Sequence, residues 1–289
     1  MRYKQEALSQ EQHEAVSWSK VEYARHPLRP SPTDFVHGLF TEISEVHGDR
    51  TFGDDTAVGC AMARFHGEPV MVIWTRKGGS LKERIKSNFG MPSPEGYRKA
   101  LRCMKLAEKF RRSVICIIDV IGAYPGASSE ERGQGEAIAR NILEMSRLKV
   151  PTISIITGEG GSGGALALAV ADRVLILEKA VYFVAPPEFA ASLTWRDPQQ
   201  KHLAAESLRI FAPDVKSLGC IDEIVPEPFD GAHIDKQASV ALLDGALKRN
   251  LAELQQLSLD KLLSSRQQKF RNIAQFYTDT SQASCAENG

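Results

Sequence analysis

A glycine-rich stretch in the second half of the chain has the residue types and spacing best suited to chemistry. Five glycines lie close together there: Gly158, Gly160, Gly161, Gly163 and Gly164. They follow the β-branched segment 151–157 and precede small apolar residues, which predicts a strand, a glycine turn and a helix beginning near Ala165. Glycines leave backbone N–H groups accessible, and the first amides of a helix have no partner inside it. Such a loop suits a phosphate or a developing oxyanion.

A dinucleotide is one alternative ligand for this stretch. The spacing of Gly158, Gly160 and Gly163 fits the dinucleotide-binding fingerprint, and Glu178 stands twenty residues after the first glycine. However, the intervening helix would have only about nine residues, which is short for a crossover between parallel strands. The loop also lies past the middle of the chain, whereas the fingerprint normally belongs to the first turn of its domain. No Gly-Lys-Ser/Thr follows, which excludes a Walker P-loop, and a purely structural turn stays open.

The second glycine turn must be explained together with the first. It consists of Gly122-Ala123-Tyr124-Pro125-Gly126 and follows a predicted strand at 114–119. A plain strand-to-helix turn, stiffened by Pro125, is the alternative to a role in binding.

The bulk composition excludes several classes of protein. The 289 residues include 36 basic and 36 acidic side chains, so the net charge does not indicate a nucleic-acid or membrane surface. No apolar run approaches the roughly 18 residues of a membrane span, and residues 1–30 lack the apolar core of a signal peptide. The five cysteines are scattered without a CxxC pair, and the seven histidines lack metal-ligand spacing. We therefore expect a cytoplasmic protein with free thiols and no metal in this chain.

Three regions and a tail follow one another along the chain. Residues 1–46 are polar and predict an N-terminal helical arm. Residues 47–233 alternate β-branched runs with helical stretches, which predicts an α/β core. Residues 234–277 predict C-terminal helices whose apolar stripe is typical of a core or of a subunit contact, and residues 278–289 are expected to be disordered. The predicted strands of the core are 70–75, 114–119, 152–157, 174–177 and 221–225.

Several longer motifs indicate a family. They occur in order between residues 25 and 275 and include Arg25-His26-Pro27-Leu28-Arg29-Pro30, Gly48-Asp49-Arg50, Asn88-Phe89-Gly90-Met91-Pro92, Glu130-Glu131-Arg132-Gly133-Gln134, both glycine loops, and Ile221-Asp222-Glu223-Ile224-Val225-Pro226. In these motifs the chain resembles the α subunit of bacterial acetyl-CoA carboxylase carboxyltransferase. The resemblance implies a crotonase (ClpP-type) α/β fold, a spiral of ββα units, with an N-terminal arm and a C-terminal helical extension.

The resemblance also implies a reaction. An α-type subunit of a biotin-dependent acyl-CoA carboxyltransferase transfers the carboxyl group from carboxybiotin, held by a biotin carboxyl carrier protein, to acetyl-CoA or a related acyl thioester. The product is malonyl-CoA, for fatty acid biosynthesis. Charge develops on the ureido oxygen of biotin and on the thioester oxygen, and paired backbone amides can stabilise both. The α subunit supplies the biotin-side amides, and a β-type partner supplies the others in an α2β2-type assembly.

The family's functional residues map onto the two glycine loops. Its paired oxyanion glycines correspond to Gly163 and Gly164, which we expect to be catalytic. Six further residues are expected to shape the substrate cleft: Gly122, Ala123, Tyr124, Gly126, Gly160 and Gly161. Lys77 belongs to a cluster of basic residues that could bind CoA phosphates or an acidic carrier domain, or could form a solvated helical face. The other members of this cluster are Lys82, Arg84, Lys86, Arg98, Lys99 and Arg102.

Departures from the family pattern lie near the expected cleft. Val120 and Ile121 replace the usual Thr-Pro, and Phe189 replaces a glycine. They predict a divergent paralogue in which Phe189 either narrows the pocket or covers a partner surface. Two other hypotheses stay open: a biotin-independent crotonase-type decarboxylase, hydrolase or isomerase, and a non-catalytic scaffold subunit of a carboxylase complex in a specialised pathway.

Overall fold

A computed structural model describes residues 18–273. Its strands are β1 (Thr41–Glu45), β2 (Val58–Phe65), β3 (Glu68–Thr75), β4 (Ser113–Val120), β5 (Thr152–Gly161), β6 (Arg173–Leu177), β7 (Val181–Phe183) and β8 (Glu223–Val225). Its helices are α1 (Pro32–Leu39), α2 (Leu81–Lys86), α3 (Pro94–Lys109), α4 (Ala127–Glu131), α5 (Gln134–Arg147), α6 (Ser162–Leu166), α7 (Pro187–Trp195), α8 (Lys201–Ser207), α9 (Ala212–Ser217), α10 (Lys236–Gln255) and α11 (Leu259–Arg271). Residues 18–24 are also helical, and single 3₁₀ turns span Asn88–Gly90 and Pro198–Gln200.

The strands form one mixed sheet in the order β1-β2-β3-β4-β5-β6-β8, with β7 beside the end of β5. The pairs β1–β2 and β2–β3 are antiparallel, whereas β3, β4, β5, β6 and β8 run parallel. Parallel neighbours need crossover connections, which α3 and α5 supply between β3, β4 and β5. The predicted α/β class is confirmed. In this arrangement the carboxyl ends of β3, β4 and β5 meet at one edge.

Successive side chains of β4 enter two different cores. Ile115 and Ile117 pack in the core that includes α1 and α10. Cys116 and Ile118 point to the opposite face, in the core that includes α3 and α5. Both faces of β4 are buried along its whole length, as expected for a parallel strand between helical layers. Packing on both sides fixes the strand ends where the glycine loops begin.

The apolar stripe of α10 packs in this chain's own core and not on another subunit. Four of its members are at most 5% exposed, namely Leu243, Leu247, Leu251 and Leu254, and Val240 is partly buried against the same core. Truncating one of them to alanine is expected to cost about 2–5 kcal/mol, because it removes buried apolar contacts and leaves a cavity.

The N-terminal region contributes to the same core. Phe35 and Val36 of α1 are fully buried, and β1 is the first strand of the sheet, so residues 32–45 are built into the core. The predicted division at residue 46 therefore falls directly after a strand of the sheet. Residues 1–17 and 274–289, including the predicted tail, lie outside the described residues. Within residues 18–273, no helix has the length and apolar character to cross a membrane, and no group of three or more His, Cys, Asp or Glu side chains is placed to hold a metal ion.

β5 is longer than predicted. The glycine turn expected at 158–161 is wrong, because these residues continue the strand as far as Gly161. They stay extended because they pair on both sides: Gly160 stands opposite Val120 of β4 and opposite Tyr182 of β7. β6 pairs only with the earlier part of β5, and β7 replaces it as the neighbour. The glycines therefore lie where the central strand changes partners.

Candidate active site

The ends of β4 and β5 bring the two glycine loops into contact. Gly164, just after β5, packs on the backbone that follows β4: a Cβ atom on Gly164 would lie 2.5 Å from the amide nitrogen of Ala123 and 2.6 Å from the carbonyl carbon of Gly122. A Cβ atom on Gly161 would lie closer still, 2.0 Å from the carbonyl oxygen of Ile121. The two loops therefore form one continuous surface of backbone atoms.

Packing alone requires glycine at four positions: Gly158, Gly160, Gly161 and Gly164. A Cβ atom on Gly158 would lie 2.5 Å from Oδ1 of Asp119, and one on Gly160 would lie 2.8 Å from the ring of Tyr182. Gly161 and Gly164 face main-chain atoms, which cannot move aside as a flexible side chain can. These glycines have a sufficient structural explanation.

Gly163 is under no such constraint. A Cβ atom there would lie 3.5 Å from its nearest neighbour, Cγ2 of Ile138, which is an ordinary contact distance. Its φ is outside the left-handed region, and the residue is only half-buried, whereas Gly164 is buried. Packing therefore does not require glycine at 163, and the lack of a side chain leaves the backbone open on that side.

The helix after the glycines differs from the prediction. α6 begins at Ser162 and not near Ala165, and it spans only five residues. So short a helix sums few peptide dipoles, and its dipole therefore adds little to the stabilisation of an anion. Gly163 and Gly164 lie in its first turn, where N–H groups have no partner within the helix. Any stabilisation of an anion here would come from those individual amides.

The second loop is held rigidly at its centre and is open at its start. The amide of Tyr124 donates to the carbonyl of Pro92 at 3.0 Å. Nε2 of Gln134 donates to the same carbonyl at 2.8 Å and to the carbonyl of Tyr124 at 3.1 Å. The Tyr124 ring packs against Gly126, whereas no atom lies within 4 Å of a Cβ position on Gly122. The open part of this loop therefore adjoins the open part of the first.

Lys77 is held in an ionic network at the same edge of the sheet. Its Nζ donates to Oδ1 of Asp119 at 2.6 Å and to Oε2 of Glu159 at 3.2 Å. Burial would lower the pKa of Lys77, but these carboxylates outweigh burial and raise it. Glu159 also accepts from Arg25 at 2.8 Å, and Arg25 continues to Glu188 of α7. Substrate binding by Lys77 would have to break this pairing, so its contacts favour a role in holding the strand ends together.

Apart from Lys77, the predicted cluster of basic residues separates into two groups. On α3, Arg98 donates to Asp49 at 2.8 Å, the buried Lys99 donates to Asp54 at 2.5 Å, and Arg102 donates to the carbonyls of residues 47 and 48. These three side chains are part of the framework and are not a solvated face. The remaining three lie exposed on α2: Lys82, Arg84 and Lys86.

Sequence reasoning missed the side chains that fix the loops. Tyr97 is fully buried, and its hydroxyl donates to the carbonyl of Gly164 at 3.1 Å. Asp119 accepts from the amide of Glu159 at 2.8 Å, which ties the end of β4 to the end of β5. Gln134 and Tyr97 both belong to family motifs, Tyr97 to the one that extends over residues 88–100, but spacing along the chain does not show which backbone atoms such residues meet.

Comparison with known proteins gives the family. The model of the acetyl co-enzyme A carboxylase carboxyltransferase-like family matches residues 1–274. The chain is 54% identical over 259 residues to the acetyl-coenzyme A carboxylase carboxyl transferase subunit alpha of Geobacter metallireducens, covering 90% of this chain and 81% of that protein. For the subunit of the same name from Halalkalibacterium halodurans, the identity is 51% over 259 residues, covering 90% and 80%. The chain belongs to the acetyl-CoA carboxylase carboxyltransferase α-subunit family. It is a carboxyltransferase subunit, as predicted.

Solved structures confirm the fold of this carboxyltransferase subunit. It aligns with transcarboxylase 12S at a TM-score of 0.63 and 19% identity, covering 78% of this chain and 42% of that one. A malonate decarboxylase hetero-dimer from Pseudomonas aligns at a TM-score of 0.62 and 20% identity, covering 76% and 89%. At such identities the likeness concerns the fold alone, and it confirms the predicted crotonase-type α/β architecture.

The three residues expected to depart from the family pattern lie in two environments. Val120 is fully buried at the end of β4, and Ile121 packs against a small core that contains Val181 and Phe183. Phe189, in contrast, is 57% exposed on α7. The first two residues therefore contribute apolar packing beneath the loops, whereas the third places an aromatic ring in solvent.

Proposed function

We propose that this chain supplies the biotin-side oxyanion site of a biotin-dependent acyl-CoA carboxyltransferase. In the proposed reaction a carboxyl group moves from carboxybiotin to acetyl-CoA, or to a related acyl thioester, and malonyl-CoA is formed. Family membership and the names of the relatives support this assignment. The second oxyanion site, on the thioester side, would come from a β-type partner.

The proposed catalytic groups are backbone amides. When bound, the carboxylated biotin supplies the carboxyl group, and negative charge develops on its ureido oxygen. The amides of Gly163 and Gly164 would donate to that oxygen, while the packed backbone beneath them keeps both in place before the reaction. Gly122, Ala123, Tyr124 and Gly126 would form the neighbouring wall, with Gly160 and Gly161 as the floor. The residues fit such a group because Gly122 and Gly163 leave open space beside the backbone.

The single observation that carries the proposal is the open space at Gly163. Four neighbouring glycines are explained by close contacts, but at Gly163 a Cβ atom would find only ordinary contact distances. A backbone amide in the first turn of a helix, with open space beside it and tightly packed neighbours, suits an oxyanion site, because the donors of such a site must not reorganise as charge develops.

Exposed apolar side chains on α7 support a stable protein partner. Phe189 is 57% exposed, Leu193 is 68% exposed one helical turn later, and Trp195 is 41% exposed. Contiguous apolar surface of this kind marks protein interfaces. We assign it to the β-type subunit, within an α2β2-type assembly visited by a biotin carboxyl carrier protein. Free thiols at Cys60, Cys103, Cys116 and Cys220 support a cytoplasmic location.

Reconstitution tests the proposal. The purified chain alone should not transfer carboxyl groups between malonyl-CoA and biotin, and addition of a β-type subunit should produce the activity. Activity of the isolated chain on an acyl-CoA would instead support a self-sufficient crotonase-type enzyme. An inactive but stable complex would support the scaffold hypothesis.

A further inference from the structure

Segment 77–92 presents an outward-facing helix beside the candidate site. All six residues of α2 are exposed, and none is buried. Leu81 and Ile85 are one turn apart and therefore on one side of the helix, at 68% and 60% exposure. Phe89, in the following 3₁₀ turn, is 53% exposed. An apolar row of this kind, left in water, marks an interaction surface.

The exposed helix is capped at its start and anchored at its end. Ser80 accepts from the amide of Glu83 at 3.3 Å, and the Glu83 carboxylate accepts from the amide of Ser80 at 2.9 Å. At the other end, the hydroxyl of Thr56 donates to the carbonyl of Lys86 at 2.6 Å. Phe89 has a φ of 57°, a left-handed conformation that residues with side chains seldom adopt. These hydrogen bonds and this backbone conformation hold the apolar row in its exposed position.

Net positive charge borders the apolar row. Its sources are Lys82, Arg84 and Lys86, none of which forms an ion pair with another residue in the range 18–273. The carboxylate of this helix belongs to Glu83, and its hydrogen bonds from the amides of Ser80 and Gly79 lower its pKa. Glu83 offsets one of the three positive charges and is held in the cap, so the surface combines apolar side chains with a cationic rim of reduced net charge.

Both ends of the segment are tied to the candidate site. Lys77 bonds to Asp119 and Glu159 at the ends of β4 and β5. The carbonyl of Pro92 accepts from the amide of Tyr124 and from Gln134 in the second loop. A molecule that docks on α2 is therefore delivered next to the glycine loops.

We infer that α2 and the Phe89 turn form the docking surface for the biotin-bearing carrier domain, which would contact it through an acidic rim around an apolar patch; this inference rests on the proposed function. A helix that projects outward is convex, whereas small molecules such as CoA bind concave sites, so the geometry favours a protein. One short helix and one turn offer far less than the roughly 800 Å² per partner of a stable complex, so they suit a transient visitor better than a permanent subunit. The cationic rim would speed encounters with an acidic partner, as needed by a domain that arrives and leaves at each turnover.

The test compares two acceptors in the complete complex of this chain with its β-type partner. Transfer from malonyl-CoA is measured to a biotinylated carrier domain and to free biotin. The variants are Lys82→Glu with Lys86→Glu, and Ile85→Ser. Matched controls on the exposed side of α10 are Lys248→Glu and Leu242→Ser. We expect each α2 variant to raise the KM for the carrier domain about tenfold, because rim charge and apolar contact both serve the encounter. Transfer to free biotin and both controls should stay unchanged.

The dependence on salt gives a second test of the charged rim. The KM of the unaltered complex for the carrier domain should rise with ionic strength, whereas the KM of the charge-reversed variant should not. An equal loss with free biotin would overturn the inference, since it would indicate damage to the site itself. If the KM for malonyl-CoA rises instead, the surface binds CoA. If the β-type partner associates more weakly, the surface belongs to the subunit interface. If the KM for the carrier domain does not change, the surface has no role in docking. If the unaltered complex transfers to neither acceptor, the proposed function fails, and that result is distinct from all of these.

Discussion

Two kinds of glycine occur within a few residues of each other at the end of β5, and they obey different constraints. Gly161 and Gly164 contact main-chain atoms so closely that no side chain fits. Gly163, between them in sequence, has room for one. The packed glycines determine where the backbone lies, and the open glycine leaves that backbone accessible. A glycine-rich motif is therefore not one feature, and its two parts should respond differently to the same substitution.

The largest effect is expected at the packed glycines. In Gly161→Ala the new methyl group would overlap the carbonyl of Ile121. Because the obstacle is backbone, the free energy of unfolding should fall by more than about 3 kcal/mol, beyond the usual range for overpacking. Urea unfolding measures the loss. The matched control is Gly245→Ala in α10, where nothing lies within 4 Å, and it should gain roughly 0.5–1 kcal/mol. A stable Gly161→Ala variant would contradict the contrast between the two kinds of glycine.

The open glycine should show the opposite behaviour. Gly163→Val should leave the urea midpoint nearly unchanged and slow carboxyl transfer in the reconstituted complex about 10²–10³-fold, because the side chain covers an oxyanion donor. Gly245→Val serves as the control for both measurements. Gly164 is unsuited to this test, since a Cβ atom there would lie 2.5 Å from the amide of Ala123 and would disturb the fold as well. Near-normal turnover of Gly163→Val would remove its amide from the mechanism.

A smaller, pH-dependent effect is expected where α3 is fastened to the framework. Burial opposes ionisation of Asp49, but hydrogen bonds from the amides of Thr51, Phe52 and Gly53 and from Arg98 outweigh it and lower the pKa of Asp49 to about 2. This folded-state pKa lies below the ordinary value of 3.8, so the stabilisation is complete above about pH 4 and is lost as the pH falls towards 2. It amounts to roughly 2 kcal/mol in urea unfolding. Asp49→Asn should flatten this dependence, and an equally steep dependence in that variant would assign it to other groups.

The smallest effect is expected at Tyr97, which connects α3 to the first glycine loop. Tyr97→Phe removes the buried hydroxyl that donates to the carbonyl of Gly164. The loss of one neutral hydrogen bond, with the carbonyl left unpaired, should lower the free energy of unfolding by about 1–2 kcal/mol. Transfer should slow only modestly, because packing against Ala123 still holds the loop. A rate loss as large as that of Gly163→Val would mean that Tyr97 acts in the chemistry itself.

Part of the fold could be predicted from the chain because buried parallel strands are continuous apolar runs. β3, β4, β5 and β6 have that pattern, and their positions were predicted to within a few residues at the start of each strand. β2 has less β-branched character, and its pairing depends on a two-residue turn at His66-Gly67, where both residues have left-handed φ values of 48° and 84°. β1 is a mostly exposed strand at the edge of the sheet, which leaves little pattern in the sequence.

In the candidate site, too, features that depend on neighbouring residues in the sequence could be predicted, and features that depend on distant residues could not. That two glycine loops follow neighbouring strands could be predicted, because strand and glycine signals are local. Which glycines are packed and which are open could not, because it depends on Ile121 and Ile138, which meet the loop only in the folded chain. The strand character of 158–161 was missed for a similar reason, since it depends on pairing with β4 and β7.

A structure of the complex with a biotin analogue bound tests the central claim most directly. The quantity to measure is the distance from the ureido oxygen of the analogue to the amide nitrogen of Gly163. The proposed site predicts about 2.7–3.1 Å, with the open side of Gly122 facing the same ring. A ureido oxygen bonded to other groups, with the amide of Gly163 turned away or covered, would contradict it.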